Sequence, residues 1–330
     1  MNFADLKPIE RGFSVPGRKS LPALHRDFFI PSAPGTTMFV LYSFFLFIVP
    51  GLLGYQVVQS SLVLSAKCVL IALTSMIAGW GLFALASATH EGFHYTLHKN
   101  RIASSLIGLF VSSAVPGFFG TGFFVYHWNH HRYTNTNLDP DCNHFSEFKN
   151  LCSRLLLVRT LTNLRYVVYA FRMAIGDLEH FKYMSPIKTR HLQLYSIFNF
   201  IAQAFWLVCY LAIYHYSFDL FLCMVALPTV GVLLITGVTP YLEHADTSLE
   251  AGRNARSRVS ALFTFLQIGT NYHNEHHMYP AVPCWRLPKV HKYLESQGYY
   301  RNNNIPLESS FFRGFRFAGS RYVYTKGFDV

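Results

Sequence analysis

Charge is scarce in this sequence: Asp, Glu, Lys and Arg make up 14% of its 330 residues, against roughly 25% in soluble domains. Four stretches lack it altogether. Met38 to Val58, Cys68 to Thr89, Leu194 to Tyr216 and Leu220 to Leu242 each run for 21 to 23 residues without Asp, Glu, Lys or Arg. A large soluble helical core would need polar stripes on such segments, and none is visible. The runs match the roughly 20 residues that cross a bilayer as an α-helix. The six cysteines (68, 142, 152, 209, 223 and 284) form no CxxC pair and no framework spacing, so neither a disulfide scaffold nor a cysteine zinc site is expected. Internal repeats, low-complexity tracts and glycine-serine linkers are also missing. About 36 mostly polar residues precede the first apolar run, so no cleavable secretory signal is expected.

What is present is apolar (51%) and aromatic (17%), with a net charge of +11. Lys and Arg number 5 in residues 1–36, 11 in residues 89–193 and 11 in residues 244–330, and only Lys67 of the 28 falls outside. The short connections between paired spans are therefore nearly free of positive charge. The positive-inside rule then places both termini and the middle segment in the cytoplasm. Basic residues flanking spans face anionic lipid, so the bilayer is the expected partner and nucleic acid is not. The expected fold is an all-α integral membrane protein in one domain over residues 1–330. It comprises a cytoplasmic N-terminal segment (1–36), two helical hairpins with a cytoplasmic region between them (37–243), and a cytoplasmic cap and tail (244–330). Ile102 to Tyr126 is long enough to cross but contains Pro116, Gly117, Gly120 and Gly122, and crossing would break the topology. A re-entrant or interfacial segment resolves both difficulties. Residues 146–190, with Arg154, Arg159, Arg165 and Arg172 among apolar residues, read as amphipathic helices on the membrane surface.

The 16 histidines are not scattered. "HEGFH" holds His90 and His94, "HWNHH" holds His127, His130 and His131, and "HNEHH" holds His273, His276 and His277. These i, i+3, i+4 spacings put each set on one helix face, where neighbouring imidazoles can share a metal. At 16 histidines in 330 residues, HxxHH is expected about 0.04 times by chance, and it occurs twice. His25, His180, His191, His215 and His291 stand alone and read as ordinary polar histidines. All three boxes follow apolar runs on the cytoplasmic side. A helix from Leu220 to His244 would be about 37 Å long and one from Leu62 to His90 about 43 Å, both longer than the ~30 Å hydrocarbon layer. His244 thereby joins the boxes as a ninth donor. Nine imidazoles exceed one structural zinc site and point to two ions. Imidazole suits iron, copper, zinc and nickel alike, and a polar site beneath a membrane core favours a redox metal. Glu91, Asp139, Asp141, Glu243 and Glu275 flank the boxes and are candidates to orient imidazoles. Asn271 is a candidate to hold a metal-bound water. Arg253, Arg256 and Arg258 are candidates to dock an anionic head group or an acidic donor protein. "HEGFH" also matches HExxH, so a zinc membrane protease using Glu91 as base is a competing reading, as is a non-catalytic metal- or lipid-binding protein.

These boxes, with "HHRYTNTNLDPD" and "NYHNEHHMYPAVPCWRLPKVH", resemble the membrane-bound fatty acid desaturase family and its relatives, the membrane hydroxylases and carotenoid ketolases, over roughly residues 40–300. The resemblance implies four spanning helices under a cytoplasmic helical cap and a non-haem di-iron centre. Carried over by position, the ligands are His90, His94, His127, His130, His131, His244, His273, His276 and His277. It further implies O2 as co-substrate and an acyl lipid or other long apolar substrate, with desaturation as the leading activity. Hydroxylation or ketolation of a lipid or carotenoid is the alternative, because "RNARSRVS" before the third box resembles the ketolase branch. The third box begins with His273 rather than the glutamine of front-end desaturases, and no HPGG signature of a fused cytochrome b5 is present. A separate electron donor of ferredoxin, rubredoxin or cytochrome b5 type is therefore expected.

Overall fold

The computed structural model describes residues 21–181, 185–305 and 307–320. Most of the segment expected over 1–36, and the end of the tail expected over 244–330, lie outside them. The apolar runs form long helices: α1 (Ala33–Gln59) and α2 (Leu64–Phe93) make the first hairpin. Next come α3 (Arg101–Ser112), α4 (Gly120–Tyr133), α5 (Pro140–Phe145) and α6 (Leu151–Ser153). A π-helical turn at Arg154–Val158 leads into α7 (Arg159–Ala174). The second hairpin pairs α8 (Thr189–Tyr216) with α9 (Phe218–Phe221), a π-helical turn at Leu222–Ala226 and α10 (Leu227–His244), which run on as one rod. Short helices follow: α11 (Ala261–Gln267), α12 (His273–Met278), α13 (Leu287–Ser296), α14 (Tyr299–Asn303) and α15 (Phe311–Gly314). Ser257–Arg258 (β1) pairs in parallel with Leu307–Glu308 (β2).

Four rods of 27 to 30 residues, α1, α2, α8 and Phe218–His244, are long and apolar enough to cross a membrane, with mean hydropathy of 1.8 to 2.3. At 1.5 Å per residue each is about 40–45 Å long, so the last turns of α2 and α10 project beyond a ~30 Å hydrocarbon layer. Large apolar side chains such as Leu41, Phe45, Leu73, Ile201, Phe205 and Val208 point outward, an arrangement that needs lipid around it.

The stretch expected to be re-entrant does break. α3 ends at Ser112, Gly117 has φ +71°, and the chain turns before α4 starts at Gly120. Broken backbone beside lipid needs partners from protein, and α8 supplies them from one face. Asn199 accepts from the Thr121 N–H at 3.1 Å and donates to Ser113 Oγ at 3.0 Å. Gln203 donates to the Phe118 carbonyl at 2.7 Å, Trp206 to that of Phe110 at 3.0 Å, and Tyr210 to that of Ala114. The reading that the apolar runs lack polar stripes is thus corrected for α8, whose stripe is uncharged and escapes a count of charges. Asn199→Leu is expected to leave the Thr121 N–H without its partner and to destabilise the protein by about 1–3 kcal/mol. A lowered thermal midpoint in detergent checks it; an unchanged midpoint would show that Asn199 is dispensable.

α7 follows the expectation of amphipathicity, but its polar face turns inward. Leu161, Leu164, Val168, Phe171 and Ile175 are exposed. Arg159 donates to the Thr236 carbonyl at 3.0 Å, the acceptor that Pro240, lacking an N–H, leaves unbonded inside α10. Arg165 reaches Tyr126 and His144. Arg154 is buried, donates to the carbonyls of Phe148, Ala318 and Ser320, and stacks 3.8 Å from the Tyr241 ring centre. Arg154 and Arg159 thus reach α10, and Arg165 joins α7 to α4 and α5, rather than serving a lipid surface. Two glycines let this layer approach: a Cβ on Gly122 would overlap the Tyr166 carbonyl, and one on Gly237 that of Arg154.

Candidate metal centre

The eight box histidines and His244 come from four places and meet at one end of the bundle. His90 lies in the last turn of α2 and His94 at its C-cap; His127, His130 and His131 end α4; His244 is the last residue of α10; the third box lies on α12. They separate into two groups, His90, His94, His127, His131 and His276, and His130, His244, His273 and His277. Within each group the donor atoms lie within 4.8 Å of one another. Each HxxHH box serves both: the i and i+4 histidines join one group and the i+3 histidine crosses to the other.

The Nε2 atoms converge. In the first group His90–His276 and His276–His131 are each 2.8 Å, His131–His127 is 2.9 Å and His94–His127 is 3.3 Å. The second group closes a four-sided ring: His130–His244 3.1 Å, His244–His273 2.8 Å, His273–His277 3.1 Å and His277–His130 3.3 Å. Nitrogens about 2.0–2.1 Å from one ion stand roughly 2.9–3.4 Å apart at octahedral to tetrahedral angles. Each neutral imidazole has one N–H, so so many ring nitrogens facing one another are better served by a cation than by mutual hydrogen bonds. Burial, reinforced by neighbouring imidazoles, holds His94, His127, His131, His273, His276 and His277 well below the usual imidazole value. Neutral rings leave lone pairs for a metal.

At His90, His130 and His244 the opposite ring nitrogen faces an acceptor, which sets the tautomer and aims Nε2 inward. His90 Nδ1 is 3.0 Å from Glu91 Oε1, His130 Nδ1 is 3.0 Å from Asp139 Oδ2, and His244 Nδ1 donates to the Asn254 carbonyl at 2.9 Å. Burial lowers His130, but Asp139 and Asp141 outweigh it and raise His130 to about 9. Asp139 also accepts from the N–H groups of Asn135 and Asp141, at 2.8 and 2.9 Å, and is fully buried. Asp139→Asn is expected to lower metal affinity roughly 10–100-fold while the protein stays folded, read by metal titration of stripped protein. Wild-type affinity in that variant would deny Asp139 its orienting role.

The other flanking residues divide. Glu91 faces His90 Nδ1 and accepts from Thr96 Oγ1 (2.5 Å) and the Cys284 N–H (3.0 Å). Its carboxylate thus faces the His90 ring nitrogen opposite the convergent Nε2 atoms, an arrangement that favours support of a histidine over the HExxH reading of Glu91 as a general base. Asp141 Oδ2 stands 3.7 Å from His130 Nδ1. Glu243 takes a 2.6 Å bond from Arg258, and its other oxygen is 3.6 Å from His273 Nε2, on the inner side of the site. Glu275 turns away from the box imidazoles to Ser257, His291 and Tyr300 and so anchors α12 from behind. Asn271 donates to the Arg258 carbonyl and Thr264 Oγ1, at 2.8 and 3.1 Å, and so tethers the chain ahead of the third box.

The docking expectation needs correction at two of three arginines. Arg258 is fully buried against Glu243 and Gln267, with its guanidinium 4.6 Å from the Phe263 ring centre. Arg256 is buried too, donating to the carbonyls of Leu242 and Ala245 at the end of α10 and lying 3.5 Å from the Phe317 ring centre. Basic residues near a helix end satisfy its last carbonyls, and both arginines are spent inside the fold. Arg253 alone of the three has an exposed side chain, paired with Glu250 at 3.2 Å.

One contributor escaped the sequence reading. Asn135, at φ +62°, donates to Thr247 Oγ1 and to the carbonyls of Ser248 and Asn254. It holds the loop whose Asn254 carbonyl receives His244. The signal was the "TNTN" directly after the second box, since Asn tolerates positive φ.

A cavity of about 160 Å³ reaches the histidines. His90, His127, His130, His244, His273 and His276 form its floor, and Phe83, Val115, Phe118, Phe123, Val232 and Leu233 are among its apolar walls. Thr229 also lines it, 15 residues before His244 on α10, about 22 Å along a helix. The opening is thus a slot that runs along the membrane-length helices α2 and α10 and reaches the imidazoles.

Fold and site define a class: helical proteins of membrane type with histidine groups able to hold metal at one end of the bundle. Within that class the chain belongs to the fatty acid desaturase family, whose profile matches residues 66–306. Two relatives are beta-carotene ketolases of Paracoccus. The one from strain N81106 / MBIC 01143 is 24% identical over 217 residues, covering 64% of this chain and 73% of the relative. The one from strain PC1 is 25% identical over 220 residues, covering 64% and 74%.

Proposed function

We propose that the protein is a membrane di-iron, O2-dependent oxidoreductase acting on a C–H bond of a long apolar substrate. The observation that carries this reading is the apolar slot ending on two convergent imidazole groups. His90, His94, His127, His131 and His276 would hold one ion, and His130, His244, His273 and His277 the other. Family membership favours iron over zinc or copper, which imidazole suits as well. Two irons supply reduction of O2 and oxidation of an unactivated carbon when electrons arrive from a carrier. The chain's own share is to fix imidazole tautomers, exclude water and align one carbon over the histidines. Phe83, Phe118, Phe123, Val232 and Leu233 restrict how a chain can lie, and such orientation is a large part of selectivity.

The Lys and Arg distribution supports placing the histidines and both termini on the cytoplasmic side. There a separate donor of ferredoxin, rubredoxin or cytochrome b5 type would deliver electrons; Arg253, partly exposed but held by Glu250 and the Asn303 carbonyl, is the one of the three arginines that could face an acidic donor or an anionic head group.

For the substrate, the ketolase relatives favour oxygen insertion into a carotenoid-like polyene. The family description favours desaturation of an acyl lipid as the second reading. Expression in a host that makes β-carotene but no ketolase, with mass spectrometry of pigments and total lipids, separates them. A pigment in which CH2 has become C=O supports the first, and an acyl chain short of two hydrogens supports the second. Unchanged pigments and lipids together with purified protein holding zinc and no iron would overturn the oxidoreductase reading.

A further inference from the structure

The slot is not apolar throughout. One wall, on α7, carries Arg159, Asn163 and Tyr166, with Asp141 also lining the cavity. A slot for a plain hydrocarbon gains nothing from these groups and loses their hydration. Part of the cluster has a structural duty, because Arg159 Nη2 occupies the Thr236 carbonyl. Its Nε has no such duty: it is buried without a hydrogen-bond partner, and so is Asn163 Oδ1. The two residues are one turn apart and share a face of α7, so an unused donor and an unused acceptor belong to one wall of the cavity.

A hydroxyl both accepts from a guanidinium N–H and donates to an amide oxygen. A ketone only accepts, and a carboxylate has no proton for Asn163 and meets Asp141 as well. The cluster lines the same cavity as His90, His127, His130, His244, His273 and His276. Resting on the reading of the slot as the substrate site, we propose that the α7 wall recognises a hydroxyl on the reacting end of the substrate, with Arg159 donating and Asn163 accepting. The preferred substrate is then a long apolar molecule that already carries a hydroxyl, and a hydroxylation must precede this step.

The test uses the purified holoprotein in detergent, titrated with β-carotene and with its ring-hydroxylated derivative, each followed by the shift in polyene absorbance. Wild-type protein should bind the hydroxylated probe at least about tenfold tighter. Asn163→Leu should weaken that probe about tenfold and the hydrocarbon less, so the preference collapses. Asn163→Asp keeps an acceptor and should retain the preference. Equal wild-type affinity for both probes, or an equal loss for both in Asn163→Leu, overturns the proposal. Should neither polyene bind, the carotenoid reading falls instead. The same comparison is then made with acyl lipids with and without a chain hydroxyl, and the same dependence on Asn163 is required.

Discussion

Replacing His276 with alanine will abolish product formation and lower bound metal, while the protein still inserts in the membrane. His276 Nε2 lies 2.8 Å from His90 Nε2 and 2.8 Å from His131 Nε2, so it joins what α2 and α4 contribute to the five-histidine group. Alanine removes the central donor and leaves a gap that no neighbouring side chain can fill from a fixed helix. Even residues one layer out from a metal cost roughly 10–100-fold when lost, so activity should fall by more than about 100-fold. Insertion should persist because α12 lies outside the four membrane-length helices. Metal analysis and product yield, normalised to protein in the membrane fraction, read the two effects. His98→Ala is the matched control: His98 is exposed and, among the described residues, accepts only from the Asn100 N–H at 3.0 Å, so wild-type metal content and yield are expected. Full metal content and activity in His276→Ala would remove His276 from the site.

Arg258→Met should have the largest effect on stability. Arg258 and Glu243 form a 2.6 Å ion pair with side-chain exposures of 0% and 11%. Removing one partner of a buried pair strands the other charge and typically costs about 3–5 kcal/mol. The stranded carboxylate here would sit 3.6 Å from His273 Nε2, so metal binding should change with stability. Glu243→Gln combined with Arg258→Met should recover part of the loss, because no unpaired charge remains. The check is a double-mutant cycle on thermal midpoints of metal-free protein in detergent. Additive losses would show that the two side chains act independently.

The spans, the interruption of the 102–126 run and the grouping of the nine histidines were all legible in the sequence, each for a local reason. Membrane helices announce themselves by length without charge, and metal-type histidines by a spacing set by the helix repeat. What misled was also local. Arg256 and Arg258 resemble a surface patch in a list of charges, yet both are buried, because their partners, Glu243, Gln267 and the end of α10, are remote in sequence. Glu275 sits among three histidines and bonds to none of them among the described contacts, since residues three and four apart share a helix face and adjacent ones diverge. Asn199, Gln203, Trp206 and Tyr210 were hidden for the converse reason: uncharged hydrogen-bonding residues do not interrupt an apolar run, and their partners lie in the broken α3–α4 connection.

Residue type and spacing by themselves determined that this chain forms membrane-length helices and that three short segments carry grouped imidazoles. Those properties depend on neighbours within a few turns, which the sequence states directly. Only the tertiary structure decided how the histidines divide, five with His276 and four with His244, and which carboxylates face them. That partition is set by how the ends of α2, α4, α10 and α12 pack across intervals of up to 186 residues. Such a packing is a minimum over the whole chain's contacts rather than a property of any one segment.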